Sequence, residues 1–358
     1  MKPLMTVLLA AIVLCTAMTT GFAQDRGVSS ANWTLYKARF LAPNGRIIDN
    51  ANGNISHSEG QGYGLLLAYL ANEPADFERI WSFTQSELMV RNDGLAAWRW
   101  DPAVRPHVTD INNATDGDLL IAYALALAGF SWQSEAYMDA ATRIAKTLLE
   151  RTVIEHGKQS LLLPGVEGFS AKDRKDGPVV NLSYWVFEAL PVMNALAPSE
   201  KWQRVYNSGL QLLEATQFGP RKLPSDWISL GGKEPVPAAG FDPQFGYNSI
   251  RIPLYLIRAG IKAPELLERI KKGMTFQDHI PALVNVETGV QLENLKDPGY
   301  QIINHIMACS NMDNTNPTVS RDFHPEFYYP STLQLLGLAY VKEKRSECLV
   351  SRSSSSPR

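Results

Sequence analysis

From residue 32 to residue 344 apolar residues recur at helical spacing in stretch after stretch, separated by loops rich in Gly, Pro, Asp and aromatics. The spacing predicts helices over 32–40, 59–71, 74–88, 114–128, 135–149, 182–197, 201–214, 245–259, 264–273, 301–309 and 328–343, which is eleven of the twelve that six helical hairpins need. Two stretches, Leu65-Leu66-Leu67-Ala68-Tyr69-Leu70 and Leu119-Leu120-Ile121-Ala122-Tyr123-Ala124-Leu125, are apolar around their whole circumference, so they must be covered on both sides. Concentric inner and outer rings supply that cover. The pattern therefore predicts an all-α fold, an (α/α)6 toroid. A solenoid would repeat at a fixed period, and no such period is visible. Short apolar segments at 161–165 and 282–286 read as small strands on one rim.

No Pro/Ser linker divides residues 24–345, which read as one domain. Residues 1–23 have the layout of a secretory signal peptide: Lys2, an apolar run from Leu4 to Ala17, and small residues up to Ala23. The run is short for a bilayer span, which needs about 20 apolar residues, so no membrane association is expected after cleavage. The expected location is secreted or periplasmic. Residues 346–358, with their Ser run, show no apolar periodicity and read as a disordered tail. Cys15 falls in the signal segment, leaving Cys309 and Cys348, which are compatible with one disulfide and too far apart for a compact metal motif.

Charge narrows the function. The 34 Lys and Arg against 36 Asp and Glu give a net charge of −2, which argues against a nucleic-acid partner. Trp and Tyr stand beside Asp, Arg or Gly in the loops, an arrangement suited to sugars, whose C–H faces stack on rings while their hydroxyls need polar partners. No metal is expected, because His107, His305 and His324 lack ligand spacing.

Two acidic constellations open the all-apolar helices. In the first, Ser56-His57-Ser58-Glu59-Gly60-Gln61-Gly62-Tyr63-Gly64, the plain structural role is that Ser58 caps the helix and Glu59 complements its positive end. In the second, Asn112-Asn113-Ala114-Thr115-Asp116-Gly117-Asp118, Thr115 or Asp116 could be an ordinary cap. Their succession suggests more. Cleaving a glycosidic bond needs an acid whose pKa is raised, to protonate the leaving oxygen, and a second carboxylate.

These residues resemble glycoside hydrolase family 8, especially its bacterial endoglucanases associated with cellulose synthesis. The likeness rests on SEGQGYG (58–64), AWRWDP (97–102), NNATDGDLLIAYAL (112–125), NLSYW (181–185), LPSDW (223–227), FGYNSIRIPL (245–254) and FYYPSTLQLLGL (327–338). It implies the (α/α)6 fold, an inverting endo-β-1,4-glucanase, no cofactor and a β-1,4-glucan substrate. The cellulose-synthesis machinery becomes a candidate partner. Glu59 matches the family's general acid. Asp116 matches the aspartate that holds the sugar in the reacting subsite, and Arg251 the family's neighbouring arginine.

One position departs from the family. Many members have Asp, the base that deprotonates water, where this chain has Asn248. An amide lacks that basicity, so Asn248 can only orient the water. Asp242, six residues upstream in Gly240-Phe241-Asp242-Pro243, is the leading candidate base, with Asp226 the rival; both could instead be turn residues. Trp98, Trp100, Tyr184, Trp227, Tyr328 and Tyr329 are candidate sugar platforms, Trp100 and Tyr184 with motif support, although buried aromatics with a polar tip are commonly core. Chitosanase or xylanase chemistry on the same fold, and a non-catalytic glucan-binding scaffold, are the alternatives.

Overall fold

The computed structural model describes residues 26–277, 279–311 and 318–350; the proposed signal segment and residues 351–358 lie outside them. Eleven α-helices are described: α1 (Ser30–Phe40), α2 (Ser58–Leu70), α3 (Pro74–Phe83), α4 (Thr115–Trp132), α5 (Glu135–Arg151), α6 (Leu190–Leu196), α7 (Glu200–Ala215), α8 (Ile252–Arg258), α9 (Pro264–Met274), α10 (Pro298–Asn311) and α11 (Tyr328–Lys344). A ring of neighbours runs from α11 to α2, α4 and α6, and from α8 to α10 and back to α11. It closes where the 3-10 turns Leu182–Tyr184 and Ser249–Arg251, which precede α6 and α8, pack on each other. Helices α3, α5, α7 and α9 lie against α2, α4, α6 and α10 respectively.

The two all-apolar helices, α2 and α4, share the most extensive helix–helix seam in the fold. Leu65, Leu66, Leu67, Leu119, Leu120 and Leu125 are all buried, each burial worth about 1.5–3 kcal/mol. At its C-terminus α4 stops at Gln133, which adopts the left-handed conformation, and Ser134 then caps α5 through the Tyr137 amide.

Two predicted helices are shorter than expected. Pro191 and Pro253 sit in the first turns of α6 and α8, where the missing N–H and the ring are tolerated, so each helix begins there. The stretch from 245 instead starts in the strand Gln244–Phe245, which pairs with Ala282–Asn285. The predicted segment at 161 is the end of the strand Gln159–Leu162, paired with Val153–His156. The chain remains part of the domain past residue 345, contrary to the expected tail: Ser346–Cys348 forms a 3-10 turn, Leu349 bridges Val319, and Cys348 is disulfide-bonded to Cys309.

Candidate active site

The acidic residues of α2 and α4 meet because glycine lets the two helix starts interlock. A Cβ on Gly62 would stand 2.6 Å from Leu120 Cβ, and one on Gly117 would stand 2.2 Å from Ser58 Oγ and 2.7 Å from the Glu59 amide nitrogen. With both side chains absent, Glu59 and Asp116 come within reach of one guanidinium. Arg251 Nη1 donates to Glu59 Oε2, and Nη2 donates to Asp116 Oδ2 at 2.6 Å and to Ser183 Oγ at 3.3 Å. The side chain of Arg251 is 1% exposed, Asp116 2% and Glu59 18%, so Glu59 is the member of the trio open to a ligand.

The capping expectations change in detail. His57, not Ser58, is the N-cap of α2, its Nδ1 accepting from the Gly60 amide at 3.0 Å. Because that amide needs a lone pair on Nδ1, a proton on neutral His57 sits on Nε2, which faces Asp49 Oδ2 at 3.5 Å. Neither Thr115 nor Asp116 caps α4: Thr115 Oγ1 donates to the Leu163 carbonyl, and Asp116 Oδ1 accepts from the Gly117 amide.

One guanidinium cannot neutralise two buried carboxylates, so the pair keeps a proton to higher pH than a free acid would. Burial pushes Asp116 up to about 7 against the opposing pull of Arg251, with the neighbouring Glu59 charge adding to the rise. Burial also raises Glu59, but Arg251, His57 and the hydrogen bond with Asp116 outweigh it and hold Glu59 below the usual carboxylate range. The upward shift expected of the acid thus falls on its neighbour: within the coupled pair Asp116 is shifted up and Glu59 down.

Above the trio opens a cavity of about 750 Å³. Glu59, Asp116, Asn248, Arg251, Trp98, Tyr184, Tyr328 and Tyr329 all line it. Arg251, expected as a substrate-binding residue, lines the cavity and also holds the two carboxylates together. Tyr328 is buried and its hydroxyl has no hydrogen-bond partner among the described residues, whereas the Tyr329 hydroxyl donates to the Tyr247 carbonyl at 2.8 Å.

Two proposed platforms are not brought to these walls. Trp100 stacks on His107 at 4.0 Å, lies under Arg46 and donates to Glu87, which makes it packing beneath the strand pair Ser56–His57 and Arg99–Trp100. Trp227 lies parallel to Phe169 and Phe241, at centroid distances of 5.5 and 4.5 Å. Its faces serve that stack.

Asp242 is likewise absent from the cavity. It is an exposed residue following the turn at Gly240, where φ is +80°, and no wall of the cavity includes it. Asp226 is buried directly behind Asn248: Oδ1 accepts from the Gly246 and Ser249 amides, each at 2.9 Å, and Oδ2 faces Asn248 Nδ2 at 3.5 Å. Burial raises its pKa against the pull of those hydrogen bonds.

The sequence reading misses several wall residues, Asp49, Tyr247, Glu293, Asp297 and Tyr300 among them. Tyr247, between Gly246 and Asn248 in a quoted motif, carried a usable signal; Glu293, in the second strand of a rim hairpin, and Asp297, just after it, carried none. Among the described residues no group of three His, Cys, Asp or Glu side chains converges as a metal site would.

The sequence model of "Glycosyl hydrolases family 8" matches residues 5–343. A probable endoglucanase of Novacetimonas hansenii is 34% identical over 316 residues, 87% of this chain and 90% of that protein. An endoglucanase of Cellulomonas uda is 39% identical over 69% of this chain and 68% of its own. The crystallised endo-β-1,4-glucanase of Acetobacter xylinum superposes with a TM-score of 0.80 at 34% identity, over 89% of this chain and 99% of that one.

Proposed function

The chain belongs to the glycosyl hydrolases of family 8, and from that membership we propose that it is an inverting endo-β-1,4-glucanase with Glu59 as general acid and Asp116 as the group that grips the reacting sugar. The observation that carries this reading is the trio itself: two carboxylates from successive inner helices, bridged by one buried Arg251, at the floor of an open cavity.

In the free site Asp116 is shifted to hold a proton more tightly than Glu59 does, and in this reading substrate binding reverses that order. Ring hydroxyls donating to Asp116 favour its ionised form, so the shared proton moves to Glu59, the exposed member, where it can reach the glycosidic oxygen. The same hydrogen bonds favour the distorted ring of the oxocarbenium-like transition state. Trp98, Tyr184 and Tyr329 are the wall aromatics positioned to stack sugars; Asn248 orients water on the wall.

Replacing Glu59 with Gln should lower kcat on carboxymethylcellulose by about 10²–10⁴, the usual contribution of a general acid. Parental turnover in that variant would remove Glu59 from the chemistry. NMR of fresh products should show α-anomers first, because inversion at a β-linkage allows no other initial product.

A second substrate has a specific observation behind it. Besides the proton-retaining Asp116, the acids Asp49, Glu59, Glu293 and Asp297 line the cavity against His57, Arg251 and Lys296, an acidic excess that suits a cationic glucosamine polymer. Reducing-end release from carboxymethylcellulose, chitosan and xylan in parallel separates the two. Residues 1–23 serve export in this reading, with Gln24 the expected N-terminus of the exported protein. No helix among the described residues is long and apolar enough to cross a membrane.

A further inference from the structure

An inverting hydrolysis needs a group that takes a proton from water, and the wall position facing that task is an amide. Of the carboxylates lining the cavity besides Glu59 and Asp116, Asp49 faces His57 on the side of the acid, Glu293 accepts from the Tyr247 hydroxyl at 2.9 Å, and Asp297 accepts from the Gly299 amide at 2.8 Å. Among the described residues none of them is hydrogen-bonded to the Asn248 side chain. Asp226 is, although it lies behind the wall instead of on it.

The local geometry is built around that carboxylate. The loop from Gly246 to Ser249 wraps Asp226 Oδ1 with two backbone amides, which leaves Oδ2 to face Asn248. Only glycine permits this wrap at 246, since a Cβ there would stand 2.3 Å from Asp226 Oδ2. Asp226, an acceptor on both oxygens, requires the NH2 end of Asn248 to face it. The amide oxygen of Asn248 is then the end left to accept a hydrogen bond from water.

We propose that Asp226 is a positioning residue acting through Asn248, and that together they form a relay that removes the proton from the attacking water. The water oxygen bonds to the anomeric carbon as the glycosidic C–O bond breaks, and the Glu59 proton goes to the leaving oxygen. The proton lost by water passes to Asn248 Oδ1 while Nδ2 gives one to Asp226 Oδ2, so the step ends with an imidic acid at 248, a neutral Asp226 and an ionised Glu59. Return of the proton from Asp226 to Nδ2, with loss of the Oδ1 proton to solvent, resets the relay; Glu59 is reprotonated from water. The raised pKa of buried Asp226 fits an acceptor of this kind.

This inference rests on the endoglucanase reading, and the experiment separates the two. Parent, Asp226→Asn, Asn248→Ala, Asn248→Asp and the double variant Asp226→Asn/Asn248→Asp are compared on carboxymethylcellulose, with melting temperature and KM measured for each. Expected is a loss of about 100-fold or more in kcat for Asp226→Asn with KM little changed. Azide, a nucleophile that needs no deprotonation, should restore turnover and yield an α-glycosyl azide. The double variant should recover activity without azide, because the carboxylate introduced at position 248 then acts on water directly. Asn248→Ala should lose kcat as Asp226→Asn does while Asp226 keeps both backbone amides, which covers the case in which Asp226→Asn fails to fold. Turnover within about three-fold of parent in folded Asp226→Asn or Asn248→Ala overturns the relay. So does a folded Asp226→Asn that neither azide nor Asn248→Asp rescues, which would make Asp226 only a brace for the loop. A parent that releases no reducing ends overturns the endoglucanase reading and the relay with it.

Discussion

Replacing Gly117 with Ala tests whether the approach of α2 and α4 is what makes the carboxylate pair. The new Cβ would stand 2.2 Å from Ser58 Oγ, 2.7 Å from Ser58 Cβ and 2.7 Å from the Glu59 amide nitrogen, where ordinary contact begins at 3.4 Å. A hydroxyl could turn aside, but the Glu59 nitrogen is backbone inside a helix, so the helix starts must separate by roughly 1 Å. Overpacking of this kind costs about 1–3 kcal/mol of stability. A displacement of that size at a reacting group lowers turnover by about 10². Arg251 would then span a wider gap and lose one of its two carboxylate contacts. The assay is kcat on carboxymethylcellulose beside the melting temperature, with Gly117→Ala/Ser58→Ala as a control. That control removes the hydroxyl but leaves the nitrogen contact, so it should recover little. Parental kcat in Gly117→Ala, with an unchanged melting temperature, would refute the claim that these glycines set the site.

Arg251→Met should destabilise the fold by about 3–5 kcal/mol and abolish turnover, because it removes the guanidinium that bridges Glu59 and Asp116; chemical denaturation measures the first effect. Asp116→Asn should flatten the pH dependence of stability. In the parent, Asp116 holds its proton up to about 7 when folded and to about 3.9 when unfolded, so its stabilisation is full below about 4 and is lost as pH rises toward 7. Glu59, shifted the other way, loses its contribution only as pH falls below the usual carboxylate range, and Asp118 and Asp226, also raised by burial, titrate in parent and variant alike, so the difference in melting temperature between the two from pH 4 to 7 should report Asp116. Trp98→Ala should raise KM with little change in melting temperature, whereas Trp227→Ala should cost about 1–3 kcal/mol by dismantling its two ring contacts with Phe169 and Phe241. Cys309→Ala/Cys348→Ala opens a link of sequence separation 39 and should lower stability by about 4 kcal/mol, read by calorimetry.

What the sequence discloses and what it hides divide along the range of the interactions involved. The ring of helices is legible because burial on both sides leaves a local mark: α2 and α4 are apolar all round, and every predicted helix lies on an observed one or on a broken remnant. Glu59 and Asp116 are legible for the same reason, as acids in the first turns of helices that otherwise carry almost no charge. The breaks at 190 and 252 were also readable, since Pro191 and Pro253 mark them. Arg251 is different: its partners lie 192 and 135 residues away, so a motif can flag the residue but not its commitment to both acids. Aromatic type is equally silent about which faces are covered, and that alone separates Trp98 from Trp100 and Trp227.

The two candidate bases make the point most sharply. Sequence proximity to Asn248 favours Asp242, six residues away, over Asp226, twenty-two away. In space the order reverses, because the strand Gln244–Phe245 carries the chain away from Asp242 and the loop after it folds back over Asp226. What brings Asp226 to Asn248 is a glycine with no side chain to obstruct the carboxylate, just as Gly117 admits Glu59 to Asp116. In both places the chemistry depends on a residue that contributes no functional group. A search of this chain for reactive side chains alone therefore finds the acids without finding what makes them neighbours.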